Sequence, residues 1–158
     1  MKFMFNGAIT IGTLDGANIE IRNEVGEENF FLFGVNSEQL GKVRSAYNPL
    51  QLIAGDEDLR RVFALLESGH FNQFEPGHFN AIIDSVKSPG DPWLVATDFR
   101  SFVDAQKRVA AAYQDRDRWA RLSIANTANC GFFSSDRTIR AYNDEIWKLK
   151  SVPPLTAK

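Results

Sequence analysis

Few side chains in this sequence fall into a spacing that catalysis needs. His70 and His78 lie eight positions apart in a loop-like stretch, which is wrong for one helix face and lacks a third ligand, so both read as solvated. The acid runs Glu27-Glu28 and Asp56-Glu57-Asp58 are short enough for paired general acid–base work. Acids at helix starts more often serve as caps and dipole partners, and that is the reading taken. Cys130, beside Gly131 at a helix end, is either a thiol nucleophile or a small buried hydrophobe, the second being preferred. The segment Gly12 to Ala17 offers backbone amides where a helix opens after a strand, a possible anion site, with Asp15 read there as a helix cap. Dinucleotide, phosphate-loop, nucleophile-elbow and paired-histidine zinc motifs are absent. Spacing alone therefore assigns no catalytic residue and no metal ligand.

The bulk properties narrow the partners. The 158 residues amount to one domain's worth of chain, and thirteen Phe supply core material. A formal net charge of −2 gives no broad positive field for a phosphate backbone, so nucleic acid is excluded as a partner. No apolar run approaches the roughly 20 residues that cross a bilayer, which excludes a membrane role. The single cysteine rules out an internal disulfide; with no export signal read at the start, a cytoplasmic location is expected.

The elements that must position any site follow from periodicity. Ala8 to Gly12 reads as a short buried strand, Ala17 to Val25 as a helix ended by Gly26, and the continuous run Phe30 to Phe33 as a second strand. Asn36 with Gln39 resembles a capping box for a helix stopped by Asn48-Pro49. Leu59, Val62, Phe63 and Leu66 form one stripe behind Asp56. Pro76 opens a helix carrying Phe79, Ile82, Ile83 and Val86. Trp93 to Ala96 reads as a third strand, followed by a long helix capped by Asp98, a helix opened by Asp115, and a last helix after Ser134-Ser135-Asp136 with Ile139, Tyr142, Ile146 and Leu149 on one face. The fold class is α/β, with a small parallel sheet and many helices across residues 1–150 and a tail over 151–158 behind Pro153-Pro154. So small a sheet leaves the later helices either to pack on one another or to await a missing part of the domain.

The segment Met1-Lys2-Phe3-Met4-Phe5-Asn6-Gly7-Ala8-Ile9-Thr10-Ile11-Gly12-Thr13-Leu14-Asp15-Gly16-Ala17-Asn18-Ile19-Glu20-Ile21 closely resembles the C-terminal part of the α-glucan phosphorylases. The likeness continues through Gly26 to Phe31, through Ala105 to Val109 with Tyr113 and Trp119, and through Phe133 to Ile139 with Tyr142, Ile146 and Trp147. It is weakest from Tyr47 to Pro92. The resemblance implies a glycosyltransferase with two facing Rossmann-like domains that moves a terminal glucosyl unit from an α-1,4-glucan to phosphate, retaining configuration and yielding glucose 1-phosphate. It also implies a pyridoxal phosphate cofactor, held as a Schiff base by a lysine that falls on Lys2, whose own phosphate takes part in proton transfer. A lysine forms such a bond only where desolvation or nearby positive charge leaves some neutral amine. Met1, Phe3 and Met4 are the apolar cover expected around it.

The departures from that pattern carry expectations of their own. The glycine-rich stretch and the basic residues that precede this lysine in the family are not in the sequence, and Met1 reads as an internal methionine, so a truncated frame or excised fragment is expected. Near a chain terminus Lys2 is poorly desolvated, so stable cofactor attachment and catalysis by the chain alone are not expected. Phe30 to Phe33 should lie exposed unless another copy covers them, which predicts a homo-oligomer. Two other readings stay open: a non-catalytic module that binds a complementary chain, and an anion-binding α/β domain using Gly12 to Ala17.

Overall fold

A computed structural model of the chain describes residues 1–150 and Val152. The proposed tail over 151–158 lies, Val152 apart, outside the described residues.

The amino-terminal half builds one β-α-β unit. Strand β1 (Ile11–Gly12), helix α1 (Ala17–Val25) and strand β2 (Phe31–Leu32) follow in order, and the strands pair in parallel with Ile11 opposite Phe31 and Gly12 opposite Leu32. The amides of Phe31 and Phe33 extend the ladder to the carbonyls of Thr10 and Gly12, at 3.0 and 3.1 Å. Helix α1 ends at Gly26, whose φ of 88° and ψ of 150° turn the chain out of the helix. Asp15 does not cap it. Its carboxylate accepts the Thr13 hydroxyl at 2.9 Å, while Gly16 takes the cap position without a side-chain bond.

Both faces of this sheet are covered from within the chain. Phe31 packs with Ala112, Leu122, Ile11 and Trp119. On the opposite side Leu32 meets a cluster of Met4, Ile21, Val25 and Phe30. Phe30 and Phe31 retain only 6% and 7% of their exposure, which corrects the expectation that this run lies bare. Each such burial contributes about 1.5–3 kcal/mol.

The segment Trp93 to Ala96 is not a strand. The buried carboxylate of Asp91 accepts the amides of Trp93 and Val95, both at 2.9 Å, so two donors a sheet ladder would need are already taken. Leu94 sits between them at φ 54°, and a twenty-residue helix begins at once. The sheet therefore has two strands among the described residues.

The remaining helices are α2 (Ser37–Ser45), α3 (Pro49–Gly55), α4 (Glu57–Glu67), α5 (Asn80–Lys87), α6 (Val95–Gln114), α7 (Arg116–Ala128) and α8 (Ser135–Tyr142). Asn36, Asp56, Asp115 and Ser134 cap α2, α4, α7 and α8 through their side chains, as their types require. Two boundaries differ from expectation. Asn48-Pro49 starts a helix instead of only ending one, because Pro suits a first turn and Asn48 accepts the Gln51 amide. Asp98 lies inside α6 and caps nothing there; it accepts the amide of Val35 across the fold. Pro76 lies in turns ahead of α5, with Gln73 and Phe74 at positive φ. Ile53, Leu59, Phe63, Ile83 and Ala96 join α3 to α6 in a core of their own. Helices without sheet to cover thus pack on one another.

Candidate functional site

Lys2 stands at the start of a fixed turn. Met4–Asn6 form one 3-10 turn closed by Gly7, whose φ of 75° only glycine adopts without strain. The amide of Ala8 donates to the Phe3 carbonyl at 3.0 Å, and the Asn6 side chain donates to the Lys2 carbonyl at 3.0 Å. Met4, 2% exposed, plugs the turn into the core beside Ile21 and Val25. Gly7 lies so close to α7 that a Cβ there would run into the Ser123 hydroxyl.

The backbone of this turn is held, but its lysine side chain is not enclosed. Lys2 is exposed, Phe3 is 80% exposed, and Met1 is more than half exposed. The apolar cover expected from Met1 and Phe3 is not built, and Met4 turns away into the core. A pyridoxal phosphate site needs a desolvated amine and donors for the cofactor phosphate. The residues around Lys2 in this chain offer an attachment point without those walls, so they do not by themselves fit the group.

A second feature lies at the carboxyl ends of β1 and β2, where open α/β sheets place ligands. Thr13, Asp15, Val35, Asn36, Trp93 and Asp98 line a cavity of about 240 Å³ that also meets Arg44. It adjoins an apolar cleft of about 430 Å³ walled by Phe33, Phe99 and Phe102. The Ser101 hydroxyl accepts the Gly34 amide at 3.0 Å and donates to the Asp98 carbonyl at 2.8 Å. Asp98 Oδ1 accepts the Val35 amide at 3.0 Å. Burial pushes the Asp98 carboxyl above its usual range, the Val35 amide opposes this, and the charge of Asp15 adds to it. Two carboxylates at this end of the sheet oppose phosphate binding to the Gly12–Ala17 amides. The anion reading is not favoured by this geometry.

The other residues singled out by type have structural partners. Asp56 caps α4 through the Leu59 amide at 3.0 Å and pairs with Arg100, which also reaches Asp58 at 3.0 Å. That guanidinium holds the Asp56 carboxyl below its usual range. Glu27 pairs with Arg22 at 2.6 Å. His70 and His78 are both exposed, His78 lying 3.7 Å from Glu75. Cys130 is half-buried against the Met4 cluster, as the hydrophobe reading expects. Two residues have structural roles that the sequence reading did not give them. Asp91, 2% exposed, sits in what reads only as a Pro-Gly break, and Arg108 donates to the Leu32 carbonyl at 2.6 Å. Nothing in their spacing marks either.

A family model described as carbohydrate phosphorylase matches residues 1–149. The chain belongs to the carbohydrate phosphorylase family. Among relatives of this phosphorylase chain, a glycogen phosphorylase of Synechocystis is 48% identical over 153 residues, 96% of this chain. Glycogen phosphorylase of Chlamydia pneumoniae is 43% identical over 93% of it, and cytosolic α-glucan phosphorylase 2 of Arabidopsis thaliana 44% identical over 97%. The resemblance seen in the sequence therefore holds along nearly the whole chain. In each of these three comparisons the match takes in 18% of the relative's length. Among the described residues no helix is long and apolar enough to cross a membrane.

Proposed function

We propose that this chain is part of an α-glucan phosphorylase, with Lys2 in the place of its cofactor lysine. Residues 1–150 are then the closing portion of a Rossmann-like domain, the second of two that face each other across the active site. The β-α-β unit at its start supports this reading. The whole enzyme would transfer a glucosyl unit from an α-1,4-glucan to phosphate, giving glucose 1-phosphate. It would work in the cytosol, the place given by the name of the cytosolic α-glucan phosphorylase 2 of Arabidopsis for that protein.

The observation that carries the proposal is the pairing of 48% identity over 96% of the chain with an exposed Lys2 on a rigid turn. The part played by this chain is to hold the Lys2 backbone through Asn6 and Met4 so that the amine emerges at one place. Desolvation of that amine falls to polypeptide beyond this chain, and the chain alone does not catalyse. On its own it self-associates, or binds a complementary chain, because much apolar surface lies uncovered.

The test is to incubate the purified chain with pyridoxal phosphate, reduce with borohydride and map the label by peptide mass spectrometry. Label scattered over exposed lysines, without enrichment at Lys2, is the expected result. Stoichiometric label on Lys2 alone would show that the chain builds the pocket itself and overturn this division of labour.

A further inference from the structure

We propose that one row of α6 side chains stands in for a further strand of the sheet, so that the outer edge of β2 is closed to strand addition from any chain. This inference is independent of the phosphorylase reading.

Backbone groups along a strand point alternately to its two sides. The amides of Phe31 and Phe33 donate to the carbonyls of Thr10 and Gly12, so these two residues turn their backbone groups towards β1. Those of Leu32 and Gly34 therefore face outward, where no third strand pairs among the described residues. A groove of about 430 Å³ lined by Phe33, Ser101, Asp104 and Arg108 runs beside them, so the edge is not covered by bulk. Unpaired amides and carbonyls in such a place are a template for pairing with another chain.

Here those groups are already engaged. Arg108 donates to the Leu32 carbonyl at 2.6 Å, the Ser101 hydroxyl accepts the Gly34 amide at 3.0 Å, and Asp98 accepts the Val35 amide at 3.0 Å. Each partner has the polarity its group requires, a cationic donor at the carbonyl and an oxygen acceptor at each amide.

The spacing on α6 explains how one helix does this. Asp98, Ser101, Ala105, Arg108 and Ala112 follow one another at intervals of three, four, three and four, and so share one helix face. Ala105 and Ala112 are fully buried, and their small side chains let the helix lie close to the strand. Gly34 completes the fit. Its φ is 84°, and a Cβ there would come within 2.7 Å of Thr13 and 3.0 Å of Asp98.

The test is Ser101→Ala combined with Arg108→Ala, followed through the infrared absorption of intermolecular β-sheet while concentrated protein is held below its Tm. The double variant should gain that band at least about tenfold faster than the parent, and Arg108→Ala alone, an exposed change that keeps the fold, should show part of the increase. Gly7→Ala, destabilised at a distant turn and compared equally far below its own Tm, should behave as the parent does. Association through apolar side chains does not raise this band, which separates the result from the self-association proposed above. A double variant no faster than the parent overturns the proposal. So does an equal gain in Gly7→Ala, because loss of stability would then be the cause. If the double variant does not fold, Arg108→Ala alone decides, and a rate equal to the parent's overturns the proposal. None of these outcomes bears on the label at Lys2, which judges the phosphorylase reading separately.

Discussion

The Tyr47 hydroxyl donates to Asp91 at 3.0 Å, and that carboxylate also accepts the amides of Trp93 and Val95. One side chain thus ties the end of α2 to the start of α6. Arg44 strengthens the same junction by donating to the Pro92 carbonyl at 2.8 Å. Asp91→Ala leaves two amides and a hydroxyl without their partner and should cost about 2–4 kcal/mol in urea unfolding, against about 1–2 kcal/mol for Tyr47→Phe. Equal losses for the two variants would contradict the arrangement.

The same pair sets an alkaline limit. Burial, then the hydrogen bond to Asp91 and its charge, push the Tyr47 hydroxyl up to about 12 from 10.0. A raised folded value means the folded state keeps its proton longer, so this contribution is full below about pH 10 and is lost as pH rises towards 12. Ultraviolet titration of the phenols should show a late phase from Tyr47, and Tyr47→Phe should remove it.

Asp98 behaves in the opposite way to a stabilising carboxylate. Its carboxyl is raised by burial and by Asp15, so the charged form weakens the fold and stability from this group falls as pH rises through the ordinary carboxylate range. Asn keeps an acceptor for the Val35 amide without the charge. Asp98→Asn should therefore be neutral or stabilising at pH 7, with any advantage fading in acid. Asp98→Ala, which drops the hydrogen bond, should cost about 1 kcal/mol. Thermal unfolding at two pH values checks all three statements.

Gly7 combines positive φ with close approach to α7. Gly7→Ala should destabilise by about 1–3 kcal/mol, and Ser123→Ala should recover part of that loss by giving the new methyl room. Additive losses in the double variant would show that the turn does not press on Ser123.

Much of this was legible from residue types. Asn36, Asp56, Asp115 and Ser134 marked helix starts because their short polar side chains satisfy free amides, and the run at Phe30 marked a strand, though not that the chain itself covers it. What was not legible depended on distant partners. Trp93 to Ala96 has strand-like composition, yet Asp91 claims its amides. Asp98 has a cap's chemistry, yet Val35 lies beside it only after the chain has folded. The last helix gives way at Asn143 to a π-helical turn, whose start a continuous apolar stripe does not reveal. The Lys2 role came from motif resemblance alone, since a lysine near a chain start has no signature in periodicity or charge.

The measurement that bears most directly on the account is glucose 1-phosphate release from an α-1,4-glucan and phosphate, with pyridoxal phosphate supplied. The chain should give none alone and should give activity when co-expressed with the remaining polypeptide of a relative, activity then lost in Lys2→Ala. Release by the isolated chain would contradict the claim that it supplies the lysine turn but not the walls of the site.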